Sequence, residues 1–191
     1  MNAIDFANYA GEFTDDYVKL IRDSNRKVIV GTQDASIAMQ QATLCEDHCL
    51  EVDLYQFNYF SVPIEREAIK SRDVAAALKQ QPFLWLDFED ELPQMVLREL
   101  HPDVILGWIN RVVERAQHDF DLIGIYTREN WWREYTGNSN EFASYALWNA
   151  KYDGIADLNV HTPYGGWLQQ TMKQYQADFV LFGKAVDLNV Y

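Results

Sequence analysis

The chain is short of cations. Against 29 Asp and Glu it carries 16 Lys and Arg, a formal charge of −13, and its basic residues form no cluster that would overcome that field. Phosphate backbones would be repelled, so nucleic acid is excluded as the expected partner. Apolar runs are short as well: none approaches the roughly 20 residues that span a bilayer, and no membrane-crossing segment is expected. The amino terminus, Met1-Asn2-Ala3-Ile4-Asp5, lacks the basic segment and following apolar run of a secretory signal. Either such a segment has been trimmed or the protein leaves its cell by another route, such as lysis. Neither Gly-x-Gly-x-x-Gly nor a phosphate-binding loop ending in Gly-Lys-Ser/Thr occurs, which removes the main support for nucleotide binding. Internal repeats and low-complexity segments are missing too.

Cysteine is nearly missing. Cys45 and Cys49 stand four apart on a predicted helix and so share one face, where buried thiols are the expectation. His48 lies between them, but a closed zinc site needs four ligands and no second pair is evident. Grouped carboxylates can hold calcium or magnesium, yet no closely spaced Asp/Asn loop accompanies those described below. Neither a metal nor a cofactor is therefore expected.

What the chain has in quantity is apolar and aromatic material: 48% hydrophobic residues, with six Trp and eleven Tyr among 191 residues. That is enough to offset the entropy of ordering a single domain spanning residues 1–191. The aromatics exceed what a core of this size needs, and flat aromatic faces bind sugar rings through stacking and C–H contacts. Along the chain, β-rich segments at 3–6, 28–30, 50–60, 83–88 and 122–126 alternate with helix signals. Thr14, followed by Asp15 and Asp16, opens the first helix, Ser36 is the expected cap of the second, residues 65–80 form a third, and Pro102 sits in the first turn of a fourth. Beyond residue 145 four short strands are expected, at 145–149, 171–176, 179–182 and 186–190, with little helix between them. Gly and Asn at 137–140 and Pro163-Tyr164-Gly165-Gly166 mark loops. Strands alternating with helices imply parallel pairing, and about eight of them in one α/β domain point to a barrel or a doubly wound sheet.

The most informative segment is Phe83-Leu84-Trp85-Leu86-Asp87-Phe88-Glu89-Asp90-Glu91, an apolar strand that ends abruptly in acids. Side chains alternate along a strand, so Asp87 and Glu89 face one side, about 6–7 Å apart along the strand axis, with Trp85 on that side too. Asp90 and Glu91 are expected to be loop residues. In a parallel barrel the carboxyl ends of the strands form the active face. Two neighbouring carboxyl groups resist double ionisation, so one keeps a proton to higher pH while the other stays anionic, the division of labour that glycosidic cleavage requires. Asp5 ends the first apolar strand and Asp187 opens the last. Closure of a barrel brings those two strands side by side and would set both acids at the same mouth.

In these residues the chain resembles glycoside hydrolase family 25, muramidases that cleave peptidoglycan between N-acetylmuramic acid and N-acetylglucosamine. The resemblance runs through Ile4-Asp5-Phe6, Leu86-Asp87-Phe88-Glu89, Ile125-Tyr126-Thr127, Leu147-Trp148-Asn149-Ala150-Lys151-Tyr152, Gln174-Tyr175 and Val186-Asp187-Leu188-Asn189. It implies a distorted TIM-like β/α barrel without cofactor, acting on peptidoglycan or a related glycan as a monomer, outside the cell or after release by lysis, as from a phage. It further implies that Glu89, Asp87 and Asp5 form the catalytic set. Glu89 would be the general acid. Asp87 would position or electrostatically assist the substrate's 2-acetamido group, whose oxygen attacks the anomeric carbon, with direct attack by a carboxylate as the competing route. Asp5 and Asp187 would hold substrate and tune Glu89. Tyr126, Trp148 and Tyr152 match groove-side positions, and Tyr55, with Phe57, matches an aromatic pair on the third strand. The chain departs from the family at Phe6-Ala7-Asn8-Tyr9-Ala10-Gly11, where a hydroxyl residue and Gln-Gly are usual. It departs again at Val30-Gly31-Thr32-Gln33-Asp34, where Arg or Lys is common. Those departures motivate a second expectation, a non-catalytic glycan-binding or phage or cell-wall structural protein that retains the barrel.

Overall fold

A computed structural model describes residues 2–7, 10–89 and 99–191; the expected loop residues Asp90 and Glu91 lie outside them. Eight strands close into one barrel in chain order. They are β1 (Asn2–Phe6), β2 (Lys27–Gly31), β3 (Glu51–Phe57), β4 (Leu84–Asp87), β5 (Ile123–Thr127), β6 (Ala146–Ala150), β7 (Met172–Leu181) and β8 (Lys184–Val190). The helices of the described residues are α1 (Asp15–Ser24), α2 (Ala35–Asp47), α3 (Ile64–Ala76), α4 (Pro102–Asp119) and α5 (Glu129–Thr136). From β1 to β7 each strand pairs parallel with the next, whereas β8 runs antiparallel to both β7 and β1. This is the distorted TIM-like barrel the sequence implies, with its last strands short of helices. Among the described residues no helix is long and apolar enough to cross a membrane.

Period-two alternation sorts the side chains into two apolar layers. Ile4, Val28, Val30, Leu54, Leu84, Leu86, Ile125 and Leu147 point outward and pack under the helices. Ala3, Ile29, Tyr55, Trp85, Tyr126, Trp148, Ala150 and Met172 fill the barrel itself. Gly124 makes that inner packing possible. A Cβ there would lie 2.5 Å from Trp85 Cζ3 and 2.9 Å from Phe83 Cε1, so the indole crosses the barrel only because β5 has no side chain at that point.

Several local expectations are corrected. Asp34 caps α2 in place of Ser36: its carboxylate accepts from the amides of Ser36 and Ile37, which draws Ser36 into the first turn. Cys45 is buried, but α2 stops at Asp47 and Cys49 lies beyond it, exposed, with φ 63°; the two thiols share no helix face. The stretch after β5 conceals α5, in which Trp131, Trp132 and Tyr135 form one buried face and Gly137, at φ 62°, ends the helix. Its few residues, rich in weak helix formers, give too little periodicity to announce it. The two short strands expected at 171–176 and 179–182 are one strand, β7, with register irregularities flanking Gln176. Polar Gln176 and Asp178 interrupt its apolar pattern without ending its pairing. A tight turn through Phe182 and Gly183, both at positive φ, returns the chain directly into β8. A hairpin needs no crossover helix, which is why helices vanish from this part of the sequence.

Candidate active site

The alternation that fills the barrel also sets its mouth. On β1, Asp5 lies two residues past Ala3 on the inner face; on β4, Asp87 lies two past Trp85; on β5, Tyr126 lies two past Gly124. Pairing aligns Phe57 with Asp87 and Asp87 with Tyr126, while antiparallel closure sets Asp5 opposite Asp187. The result is a cavity of about 400 Å³ whose walls include Asp5, Asp87, Glu89, Asp187, Tyr55, Tyr126, Trp148 and Tyr152, every site residue singled out from the sequence. Glu89 stands just beyond the end of β4 and is half-buried, Asp5 and Asp87 are buried, and Tyr152 is exposed at the rim. Trp148 serves both core and groove: buried in the inner layer, it packs edge-on against Tyr126 and Tyr55 and presents part of its surface to the cavity.

Gln33, Tyr59 and Gln174 line the same space; Gln174 belongs to a segment of the family resemblance and Gln33 to a segment that departs from it, whereas nothing in the sequence singles out Tyr59. Gly31 is what gives Gln33 and Tyr55 their room: a Cβ there would lie 2.4 Å from Gln33 Oε1 and 2.7 Å from the Tyr55 hydroxyl. The departure from a basic residue on the second strand thus coincides with a wall built of neutral polar groups.

Gln174 is the hub of the site. Its Nε2 donates to Asp5 Oδ2 at 2.9 Å and to Asp187 Oδ2 at 3.0 Å, while its Oε1 accepts from Tyr126 and Tyr152, each at 2.8 Å. Asn189 donates a further bond to Asp5 Oδ2 at 2.6 Å and accepts one from Trp148 Nε1 at 2.8 Å. The Tyr126 hydroxyl is also within reach of Glu89 Oε2, at 3.3 Å, and the Arg128 guanidinium donates to the Glu89 carbonyl at 3.2 Å.

Electrostatics follow from this crowding. Burial pushes the Asp5 carboxyl up to about 8, with the charge of Asp187 adding to the effect and that of Glu89 adding less. The amide bonds from Asn189 and Gln174 oppose the rise without cancelling it. Asp187 is raised as well, chiefly by burial, against a backbone amide bond from Asp178. Burial raises both Tyr126 and Tyr152 above the usual phenol range, so each keeps its proton throughout the working range of an enzyme. Near neutrality the cavity therefore offers a neutral carboxyl, further carboxyl groups and two phenolic hydroxyls, a set suited to gripping a polyhydroxylated ring and moving a proton.

The rim is anchored from outside the barrel. Lys173 is fully buried, and its ammonium donates to both oxygens of Asp153, at 2.8 and 3.0 Å, and to the Ile155 carbonyl at 2.9 Å. That clamp fixes the segment immediately after Tyr152. Asp153→Ala would leave a buried ammonium without its counter-charge, so the variant should lose about 3 kcal/mol of stability, read from the shift in its urea unfolding midpoint. A loss below about 1 kcal/mol would show that the ammonium finds water.

Comparison with known proteins extends these observations. A family model described as "Lysozyme-like protein 1" matches residues 39–175. The probable GH family 25 lysozyme 5 of Dictyostelium discoideum is 29% identical over 143 residues, 73% of this chain and 65% of that protein. Counting factor 50 of the same organism is 34% identical over 86 residues, 44% of this chain and 28% of that protein. The chain thus spans less than two thirds of the length of these relatives. Among solved structures, the muramidase from Acremonium alcalophilum superposes with a TM-score of 0.76 at 21% identity, covering all of this chain and 93% of that one. At that identity the likeness is one of fold.

Proposed function

The chain belongs to the lysozyme-like proteins of glycoside hydrolase family 25, and on that premise we propose that it is an N-acetylmuramidase cutting the β-1,4 bond between N-acetylmuramic acid and N-acetylglucosamine in peptidoglycan. One observation carries the reading: acids from both ends of the chain and from its middle line a single cavity, walled by aromatic and phenolic side chains. In the proposed reaction Glu89 hands its proton to the glycosidic oxygen as that bond breaks. The 2-acetamido oxygen, oriented by Asp87, attacks the anomeric carbon and forms a cyclic oxazolinium ion. Glu89, now a carboxylate, takes a proton from the water that opens this ring, giving a retained product and restoring the acid. Asp5, neutral near pH 7, and Asp187 hold the sugar and set the field around Glu89. The barrel acts as one catalytic domain, as a monomer, on wall material outside the cell that makes it.

The test is chemical. Purified peptidoglycan incubated with the protein, then reduced with borohydride and hydrolysed, should yield muramitol from newly exposed reducing ends. Glucosaminitol would place the cut at the other bond. A second reading, a glycan-binding protein without turnover, is motivated by the departures from the family at Phe6-Ala7-Asn8-Tyr9-Ala10-Gly11 and Val30-Gly31-Thr32-Gln33-Asp34. Binding to peptidoglycan with no new reducing ends over a wide pH range would select it.

A further inference from the structure

Gln174 uses its full hydrogen-bonding capacity, and its orientation is chemically determined. The amide end that faces Asp5 Oδ2 and Asp187 Oδ2, at 2.9 and 3.0 Å, must be the NH₂. A carbonyl there would require a proton on both of those carboxyl oxygens. The carbonyl oxygen is therefore turned toward Tyr126 and Tyr152, 2.8 Å from each, and both of its lone pairs are engaged. A phenol has a single hydrogen. Tyr126 lies closer to Gln174 Oε1 than to Glu89 Oε2, 2.8 against 3.3 Å, and Tyr152 spends its own hydrogen on the same carbonyl. What Tyr126 then presents to Glu89 is a lone pair.

We propose that Gln174 is a positioning residue that, by taking the Tyr126 hydrogen, makes the Tyr126 oxygen an acceptor for the acid proton of Glu89. The amide transmits the state of Asp5 and Asp187, on one side of the cavity, to the group that delivers the proton on the other. This deepens the muramidase reading and rests on it, since the arrangement matters only if Glu89 is the acid. Among the described residues, the titratable and charged groups that line the cavity with Glu89 are Asp5 from β1, Tyr55 from β3, Tyr59 just after β3, Asp87 from β4, Tyr126 from β5, Tyr152 after β6 and Asp187 from β8, with Arg128 at the Glu89 carbonyl. All of these stay in place in the comparisons that follow except Tyr126 itself.

The sign of one substitution decides the matter. With glutamate labelled at its side-chain carboxyl carbon, the Glu89 resonance, identified by its loss in Glu89→Gln, is followed through a pH titration. In Tyr126→Phe the acid loses an acceptor, and its midpoint should fall by roughly half a pH unit; the basic limb of the kcat/KM profile on peptidoglycan should move with it. If the midpoint rises, Tyr126 donates to the Glu89 carboxylate and the proposal is overturned. Gln174→Met frees the Tyr126 hydrogen to turn toward Glu89. In that background Tyr126→Phe should therefore act with the opposite sign and raise the midpoint, an inversion that a merely structural glutamine would not produce. The same sign in both backgrounds would refute the role of Gln174, and should Gln174→Met not fold, the sign in the otherwise unaltered protein still decides. If Glu89→Gln keeps full activity, it is the assignment of Glu89 as the acid that fails, and if the unaltered protein releases no muramitol it is the muramidase reading; in either case the titration still reports the hydrogen bond.

Discussion

Glu89→Gln is expected to lower kcat/KM on peptidoglycan by on the order of a thousandfold, about 4 kcal/mol of transition-state stabilisation, while glycan affinity and fold persist. Glutamine keeps the shape of the side chain but has no acid proton to give to a leaving oxygen. Glu89 is half-buried at the mouth and contributes nothing to either apolar layer, so the unfolding midpoint should barely move. Asp5 is the rival acid, since it holds its proton to about 8. Geometry argues against it. A donor must come within about 3 Å of the oxygen it protonates, and Asp5 is only 5% exposed, with Oδ2 already claimed by Gln174 and Asn189. A folded Glu89→Gln protein that hydrolyses peptidoglycan at the unaltered rate would remove Glu89 from the role and return attention to Asp5.

The parts of this site that depend on strand alternation were legible in the sequence. An apolar strand ending Asp-x-Glu places two acids at one mouth whatever the neighbouring strands do. Closure of the barrel brings the strands of Asp5 and Asp187 side by side, but the two acids meet only because β8 runs antiparallel to β1. What alternation does not reveal is which polar strand residue becomes a hub. Gln174 looks like any polar residue of a half-exposed strand. It gains its partners because β8 returns antiparallel, aligning Gln174 with Asn189 and Asp5 with Asp187, and no local pattern encodes a change of strand direction. Lys173 misleads for a related reason. A lysine in a strand is ordinarily solvated, yet here the loop bearing Asp153 folds over it and covers it completely. The helix α5 and the Asp34 cap were missed on smaller grounds, a segment too short to show its period and two capping residues of nearly equal preference only two positions apart.

Stability should fall as pH rises from about 4 to about 8, and Asp5→Asn should abolish most of that slope. An aspartate in an open chain titrates near 3.8, whereas burial and the neighbouring Asp187 charge lift Asp5 to about 8 in the fold. Between those values the unfolded chain has released the proton and the folded chain retains it. The native state then binds more protons, and the unfolding free energy declines with increasing pH until the folded group also ionises. The full difference corresponds to an upper limit of roughly 6 kcal/mol. Asp187, raised in the same direction, steepens the slope. Asp15, Asp119 and Asp153 are held below the usual carboxylate range, and they act oppositely: their contribution is complete above about 4 and is lost only as pH drops below it. The two windows meet, so stability should peak at pH 4–5. Urea unfolding at pH 5 and pH 8 tests the account. In Asp5→Asn the side-chain amide would be uncharged throughout, could accept from Gln174 and Asn189 as the carboxyl does, and could donate to Asp187. The variant should therefore exceed the unaltered protein by about 3 kcal/mol at pH 8 and match it near pH 4. Equal unfolding free energies for the two proteins at pH 8 would show that Asp5 ionises freely in the fold, and the picture of a proton retained in this cavity near neutrality would have to be abandoned.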